Sequence, residues 1–125
     1  MRRRSLVSLA AFAATACATS QAELDAAWER FECGRAATAA RAEALSAGLA
    51  GLVGRQAVDE ELVRTIACPP TSPVARLGWL TTWAGLAYLT EDLEALARAT
   101  RALAVQQAEI DALERRLAGA VASAR

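Results

Sequence analysis

The sequence contains no histidine, lysine or asparagine, and only six of its 125 residues are aromatic. Without histidine, the chain cannot form a Ser-His-Asp triad, a Cys-His dyad or an imidazole metal site. Its 14 arginines are balanced by 14 acidic residues, so it also lacks the positive net charge typical of nucleic-acid-binding proteins. These absences exclude the histidine-dependent catalytic sites and argue against a nucleic-acid partner.

Alanine dominates the residues that are present, at 33 of 125. It has the highest helix propensity of all residues, and a chain of this length typically forms one domain. The composition therefore predicts an all-α protein. We expect a small three- or four-helix bundle built from two helical hairpins.

The N-terminal segment has the pattern of an export signal. Three arginines at positions 2–4 precede a twelve-residue uncharged stretch at positions 5–16. This stretch is shorter than the ~20 apolar residues that span a bilayer as a helix, and its length matches the hydrophobic region of a signal peptide. We predict a signal peptide at 1–22 and a single helical domain at 23–125. Loss of the three arginines leaves 11 basic residues against 14 acidic ones, a net charge of −3.

The residues Ala14-Thr15-Ala16-Cys17 resemble the lipobox of bacterial lipoprotein precursors. In that family the chain is cleaved before the cysteine, which becomes the lipidated first residue. The resemblance implies a lipid on Cys17 that holds the protein at a membrane. Because Ala18 is not aspartate, it also implies sorting to the outer membrane, facing the periplasm. The alternative is ordinary signal-peptidase cleavage after Ala22, which gives a soluble periplasmic or secreted protein.

The first half of the domain has the pattern of a helical hairpin. Large apolar residues recur at helical spacing from Glu23 to about Leu52, and glycines cluster at positions 48–54. A second, shorter helix is predicted from about Asp59, ending before Pro69. We therefore expect the chain to turn within the glycine cluster.

Two cysteines of the domain fit this hairpin. The midpoint between Cys33 and Cys68 lies in the glycine cluster, so an antiparallel hairpin would place them at the same level. Exported proteins form disulfides in an oxidising compartment. We predict a Cys33–Cys68 disulfide that stabilises the fold by ~3–4 kcal/mol. Small residues accompany Cys33 on a face expected to let a neighbouring helix approach closely: Ala26, Ala37, Ala40, Ala44, Ala47 and Gly51.

The second half begins with a strong helix start, Ser72 followed by Pro73. The segment that follows, to Leu89, is apolar around nearly its whole circumference, which is typical of the central helix of a small bundle. The alternative is an exposed face that binds a partner or a ligand. The candidate residues for such a surface are Trp79, Trp83 and Tyr88.

The last helix extends to about Val121, and leucine or isoleucine recurs every seven residues within it. One of its two seam rows is largely alanine and glutamine, so packing inside the bundle is favoured over a coiled coil. The alternatives are an end that overhangs its neighbours and a homo-oligomer formed through residues 93–121. The pattern leaves open whether residues 73–121 form one helix or two.

No arrangement of residues indicates catalysis. The acidic runs 59–61 and 91–94 lie at predicted helix N-termini, where the helix dipole favours negative charge. There is no phosphate-binding loop, no dinucleotide-binding motif and no calcium loop in the sequence. We therefore expect a protein without enzymatic activity, cofactor or metal.

Two functions remain. The first is an accessory or interaction subunit of the bacterial cell envelope, lipid-anchored through Cys17 and bound to an envelope protein. The alternative is a soluble periplasmic or secreted bundle that binds a small apolar ligand between its helices.

Overall fold

The computed structural model describes residues 20–54 and 58–123, and these form four α-helices with no strand. The helices are α1 (Gln21–Val53), α2 (Glu60–Ala67), α3 (Pro73–Leu89) and α4 (Leu93–Ser123). The all-helical prediction is therefore confirmed, with the chain arranged as two helical hairpins. The export segment and Cys17 lie outside the described residues.

The two long helices, α1 and α4, are parallel and in register. Gly34 lies against Leu103, Thr38 bonds Gln107, and Gly48 lies against Leu117. Each pair is 69 residues apart, so the two helices match along their whole length. Of the alternatives for the last helix, an overhanging end does not occur beside α1, because α1 is as long as α4 and runs beside it.

The shorter helices, α2 and α3, together form the third column of the bundle. Both run antiparallel to α1: Leu62 and Ile66 of α2 pack on Leu45 and Leu49, and Tyr88 at the end of α3 contacts Trp28 near the start of α1. The column is broken between the two helices at residues 68–72, where Pro69 and Pro70 prevent a continuous helix.

This break divides the core into two clusters. We call the part of the bundle around α3 the α3 half; its buried cluster is Ala27, Phe31, Leu77, Leu80, Ala84, Ala87, Ala95, Leu96, Ala99 and Leu103. The part around α2 is the α2 half, with buried Leu45, Leu49, Leu62, Ile66 and Leu113. In the heptad row of α4, Leu96, Leu103 and Ile110 are buried and Leu117 is partly buried, so this row packs inside the bundle.

Residues 73–121 form two helices, because the chain reverses at Glu91. Glu91 has a φ of +56°, and the amide of Asp92 donates to the carbonyl of Ala87. This is a Schellman ending of α3. The Asp92 carboxylate then caps α4 by accepting from the amide of Ala95 at 2.9 Å. Thr90 is the C-cap of α3, so the acidic run at 91–94 contains both the turn and the start of α4.

The small-residue face of α1 does not approach another helix. Its seven members, Ala26, Cys33, Ala37, Ala40, Ala44, Ala47 and Gly51, are all exposed. Burial instead follows the row with larger side chains, because these remove more apolar surface from water. Thr38 and Ala42, which interrupt that row in the sequence, are buried within it.

Cys33 and Cys68 are free, exposed thiols, so the predicted disulfide has no support in the structure. The expectation that they lie level fails because the hairpin arms have unequal length. α2 begins beside Leu52, since Val58, Asp59 and Leu52 line one cleft. From that level α2 descends only ~12 Å, whereas Cys33 lies ~29 Å down α1.

Candidate functional site

The outer face of α3 carries the largest exposed apolar side chains among the described residues. Trp79, Trp83 and Leu86 are 74%, 50% and 57% exposed, and Leu89 at the helix end is 78% exposed. Spacings of three and four residues align them along one side of the helix. We call these four residues the outer face. Since α3 already buries Leu77, Leu80, Ala84 and Ala87 in the core, its remaining apolar residues face water.

Beside this face runs a groove of about 570 Å³, here called the tryptophan groove. It lies between α3 and α4, and most of its wall surface is apolar. The lining residues are Arg76, Trp79, Leu80, Thr82, Trp83, Leu86 and Gln106.

Gln106, on α4, is the unusual member of this lining. It occupies the buried seam of α4, in a row whose other members are Leu96, Ala99, Leu103, Ile110 and Leu113. Its side chain is only 9% exposed, and its Oε1 atom has no hydrogen-bond partner in the described part of the chain. Buried polar atoms are nearly always bonded, so this amide oxygen stands out chemically.

A second cavity of about 250 Å³, the junction cleft, adjoins the groove at the break between α2 and α3. Thr65 of α2 and Thr71 of the break line it, and α4 contributes Ile110 and Leu113. Arg76 and Gln106 line both cavities. The two cavities therefore meet at Gln106.

The rim of the groove carries one ion pair, in which the Arg76 guanidinium donates to the Glu109 carboxylate. Each partner is about two-fifths exposed, so the pair adds little to stability. It fixes the position of the arginine side chain between the groove and the cleft.

Tyr88 does not join the other two predicted surface residues. It lies nine positions after Trp79, about 180° around the helix, and packs on Trp28 with ring centroids 5.2 Å apart. Its hydroxyl donates to Asp25 at 2.5 Å, and Gln21 donates to Asp25 at 2.8 Å. The structure thus brings Trp79 and Trp83 together and places Tyr88 between α3 and α1.

Hydrogen bonds in this cluster shift two pKa values. The pKa of Asp25 lies below its ordinary value, first because Tyr88 donates to the carboxylate and second because Gln21 does. The pKa of Tyr88 is raised, chiefly because its proton is held by Asp25. The same hydrogen bonds join α1 to the end of α3.

The other polar groups are explained by the fold. Arg41 bonds both Asp111 and Glu114 across the α1–α4 interface, and the bond to Glu114 is the main reason that its pKa is raised. Asp59 and Asp92 cap α2 and α4, as the acidic runs predicted. Within residues 20–54 and 58–123, no cluster of three or more potential metal ligands occurs, and no helix is long and apolar enough to cross a membrane.

Sequence reasoning missed Gln106, Arg76 and Leu86. Leu86 completes the spacing begun by Trp79 and Trp83, so the sequence did carry a signal for it. Gln106 belongs to the seam row that the sequence shows as largely alanine and glutamine, and its unpaired state depends on which helix covers it. Comparison with protein-family models, with curated proteins and with solved structures finds no match for this chain.

Proposed function

We propose that the protein is a non-catalytic interaction subunit of the bacterial cell envelope, anchored by a lipid on Cys17, and that it binds a protein partner through the outer face of α3. The observation that carries this proposal is the alignment of Trp79, Trp83 and Leu86 on one exposed side of a helix that is already fully packed on its other side. Exposed apolar patches of this kind mark interaction surfaces.

The shape of the surface favours a protein over a small molecule. The two tryptophans stand on the open side of the groove and remain half or more exposed, whereas small-molecule pockets bury most of their ligand. A protein surface laid across α3 would cover both indole rings at once. Tryptophan is also among the residues that contribute most binding energy at protein interfaces.

The start of α1 supports cleavage before Cys17 rather than after Ala22. Ser20 caps α1 by accepting from the Glu23 amide at 3.2 Å, and Gln21 bonds Asp25 and Tyr88. Cleavage after Ala22 would remove both residues. Cleavage before Cys17 keeps the cap and the contact with α3, which agrees with the lipobox resemblance.

An anchor at Cys17 places the outer face close to the membrane. Two residues lie between Cys17 and Ser20, so the two are at most about 10 Å apart. Leu89 lies at the same end of the bundle, because its neighbour Tyr88 contacts Asp25. Trp79 is ten residues along α3, ~15 Å further out. The partner we propose is therefore a protein at or in the outer membrane, on its periplasmic side.

Cross-linking in native-host membranes tests the proposal. The full chain is compared with the double variant Trp79→Ala/Trp83→Ala and with the control Val53→Ala, which removes an exposed apolar residue in the α2 half. We expect one envelope protein to be cross-linked by the wild type and by Val53→Ala, and its yield to fall at least tenfold in the double variant. An equal yield from all three chains would refute the outer face as the docking surface.

The intact mass of the membrane-purified chain tests the anchor in the same material. A chain that begins at Cys17 and carries acyl groups supports the proposal. A chain that begins at Glu23 without lipid contradicts it and favours the soluble alternative.

Binding of a small apolar ligand is the second candidate function, favoured by the size of the tryptophan groove. Its volume of about 570 Å³ lies within the range typical of ligand pockets. Native mass spectrometry in the presence of fatty acids tests it. A bound acyl ligand that is lost in the double variant would support this function, and an empty protein would oppose it.

A further inference from the structure

The end of the bundle at which α1 begins also holds the turn between α3 and α4. Tyr88 near the end of α3 and Gln21 at the start of α1 both donate to Asp25, so the two elements lie side by side. We call residues 20–25 and 89–94 the turn end. The opposite end of the bundle carries Val53, the last residue of α1, ~48 Å away along the helix.

A lipid on Cys17 would hold the turn end at the membrane surface. At most about 10 Å of chain joins Cys17 to Ser20, the cap of α1. The headgroup region of a bilayer is itself roughly 5–7 Å thick on each side. A tether this short brings the first turn of α1 within reach of the headgroups.

The turn end carries the most exposed large apolar side chain in the described part of the chain. This is Leu89, the last residue of α3, at 78% exposure. Among the four residues of the outer face, only Leu89 belongs to the turn end; Trp79 lies ten residues further out. Leu89 can therefore contact the membrane surface while the tryptophans remain available to a protein.

The charges of the turn end select the kind of lipid. Residues 20–25 and 89–94 contain five carboxylates and no arginine. Two of them, Asp25 and Asp92, accept hydrogen bonds from the protein, and Glu94 pairs with Arg98 at 3.3 Å. Anionic headgroups attract basic segments and repel acidic ones, whereas an ammonium headgroup can donate to an exposed carboxylate such as that of Glu91.

We infer that the turn end rests on the membrane surface, with Leu89 among the headgroups of zwitterionic lipids that carry an ammonium group, such as phosphatidylethanolamine. This inference rests on the proposed lipid anchor and adds a second contact surface to the proposed docking surface. Two points of attachment, the acyl groups and Leu89, would fix the tilt of the bundle. They would thereby set the direction in which Trp79 and Trp83 face.

Methyl NMR of the acylated protein tests the contact without altering Leu89. The protein is purified from membranes of its native host with leucine and valine methyls labelled, and it is placed in lipid nanodiscs. One set of discs contains phosphatidylcholine and phosphatidylethanolamine, and in the other phosphatidylglycerol replaces the phosphatidylethanolamine. We expect nuclear Overhauser effects between the Leu89 methyls and lipid in the first set, their loss in the second, and none at Val53 in either.

A matched pair of charge variants assigns the lipid preference to the turn end. Glu91→Gln/Glu94→Gln removes two of its carboxylates and should keep the Leu89 contact in the anionic discs. Glu60→Gln/Glu61→Gln removes two carboxylates at the start of α2 and should lose the contact there, as the wild type does. Equal contact of the wild type with both kinds of disc, or the same behaviour of the two variants, would overturn the inferred lipid preference.

The outcomes separate this inference from the proposed function. An acylated chain whose Leu89 methyls show no lipid contact in the zwitterionic discs refutes the inference and leaves the anchor and the docking surface standing. Contact at Leu89 together with undiminished cross-linking by Trp79→Ala/Trp83→Ala supports the inference and refutes the docking surface. A chain that carries no lipid refutes both the anchor and the inference.

Discussion

The α3 half and the α2 half of the bundle use apolar residues differently. α2 has eight residues, of which Leu62 and Ile66 are buried and the exposed ones are mostly polar. α3 has 17 residues and is apolar on nearly all sides, so burying one face leaves Trp79, Trp83 and Leu86 in water. Packing therefore buries most of the apolar surface of α2, whereas α3 has more apolar surface than its packing buries. This difference is the reason that we propose the docking surface in the α3 half.

We predict that a cavity in the α3 half lowers the stability of the whole protein more than a cavity in the α2 half does. Leu96 is fully buried in the α3 half, where α1, α3 and α4 all meet. Leu96→Ala should destabilise the whole protein by about 3–5 kcal/mol, the range of large cavity-forming changes. Leu62→Ala in the α2 half should lower global stability by only about 1–2 kcal/mol, because a short helix can open locally while the rest remains folded.

Urea unfolding and amide hydrogen exchange measure this difference. In Leu62→Ala, loss of protection should be confined to α2 and the adjoining end of α1. In Leu96→Ala, protection should fall throughout the chain. Equal losses of global stability in the two variants would show that the two halves unfold as a single unit and that α2 does not open locally.

Two glycines on α1 sharpen the comparison at the α1–α4 interface. A Cβ at Gly34 would lie 3.0 Å from Leu103 Cδ2, and a Cβ at Gly48 would lie 3.0 Å from Leu117 Cδ2. Leu103 is buried in the core of the α3 half, whereas Leu117 is only partly buried and can turn aside. Replacing a helical glycine by alanine stabilises a helix by up to about 1 kcal/mol, but overpacking a fixed neighbour costs about 1–3 kcal/mol.

We therefore expect opposite signs from the same substitution. Gly48→Ala should raise the free energy of unfolding by about 0.5 kcal/mol, and Gly34→Ala should lower it by about 1 kcal/mol. Urea denaturation of the two variants side by side measures both. A gain in stability from Gly34→Ala would mean that Leu103 can move to make room for the new methyl group. It would then follow that the α3 half is less tightly packed in solution than in the structure.

Much of the secondary structure followed from the sequence because its signals are local. Ser72 and Pro73 set the start of α3, and Asp59 caps α2 close to where the acidic run predicted a helix start. Helix ends of this type depend on a few adjacent residues. The turn at position 91 was harder to predict, because a left-handed backbone conformation normally favours glycine and the residue there is Glu91.

The arrangement of the helices did not follow, because it depends on contacts between distant residues. The parallel register of α1 and α4 requires that α2 and α3 share one column, and no local pattern encodes this. The same limit explains why the predictions for the small-residue face of α1 and for the cysteine pair were wrong or unsupported. Both predictions assumed a partner helix beside Cys33, where the structure has solvent. Gln106 was missed for a related reason, since an unpaired amide can be recognised only when its neighbours are known.

The smallest effect that we predict concerns the end of the α3 half, where Tyr88, Asp25 and Gln21 join α3 to α1. Because Tyr88, and secondarily Gln21, lowers the pKa of Asp25, the stabilisation from Asp25 is present above the pKa it has in the unfolded chain and is lost as pH falls through the folded value. Tyr88→Phe should move the pKa of Asp25 toward its ordinary value and make the melting temperature less sensitive to pH between about 2 and 5. Gln21→Leu should do the same to a lesser extent.

The two variants should differ at high pH, because the pKa of Tyr88 is raised in the folded protein. The stabilisation from Tyr88 is present below the pKa that tyrosine has in the unfolded chain, and it is lost as pH rises through the folded value. Tyr88→Phe abolishes this alkaline limb of the stability curve. Gln21→Leu removes the one bond that lowers this pKa, so its limb should shift upward. Carboxyl NMR titration and melting curves against pH measure both limbs, and an Asp25 pKa unchanged in Tyr88→Phe would show that this contact does not close the α3 half in solution.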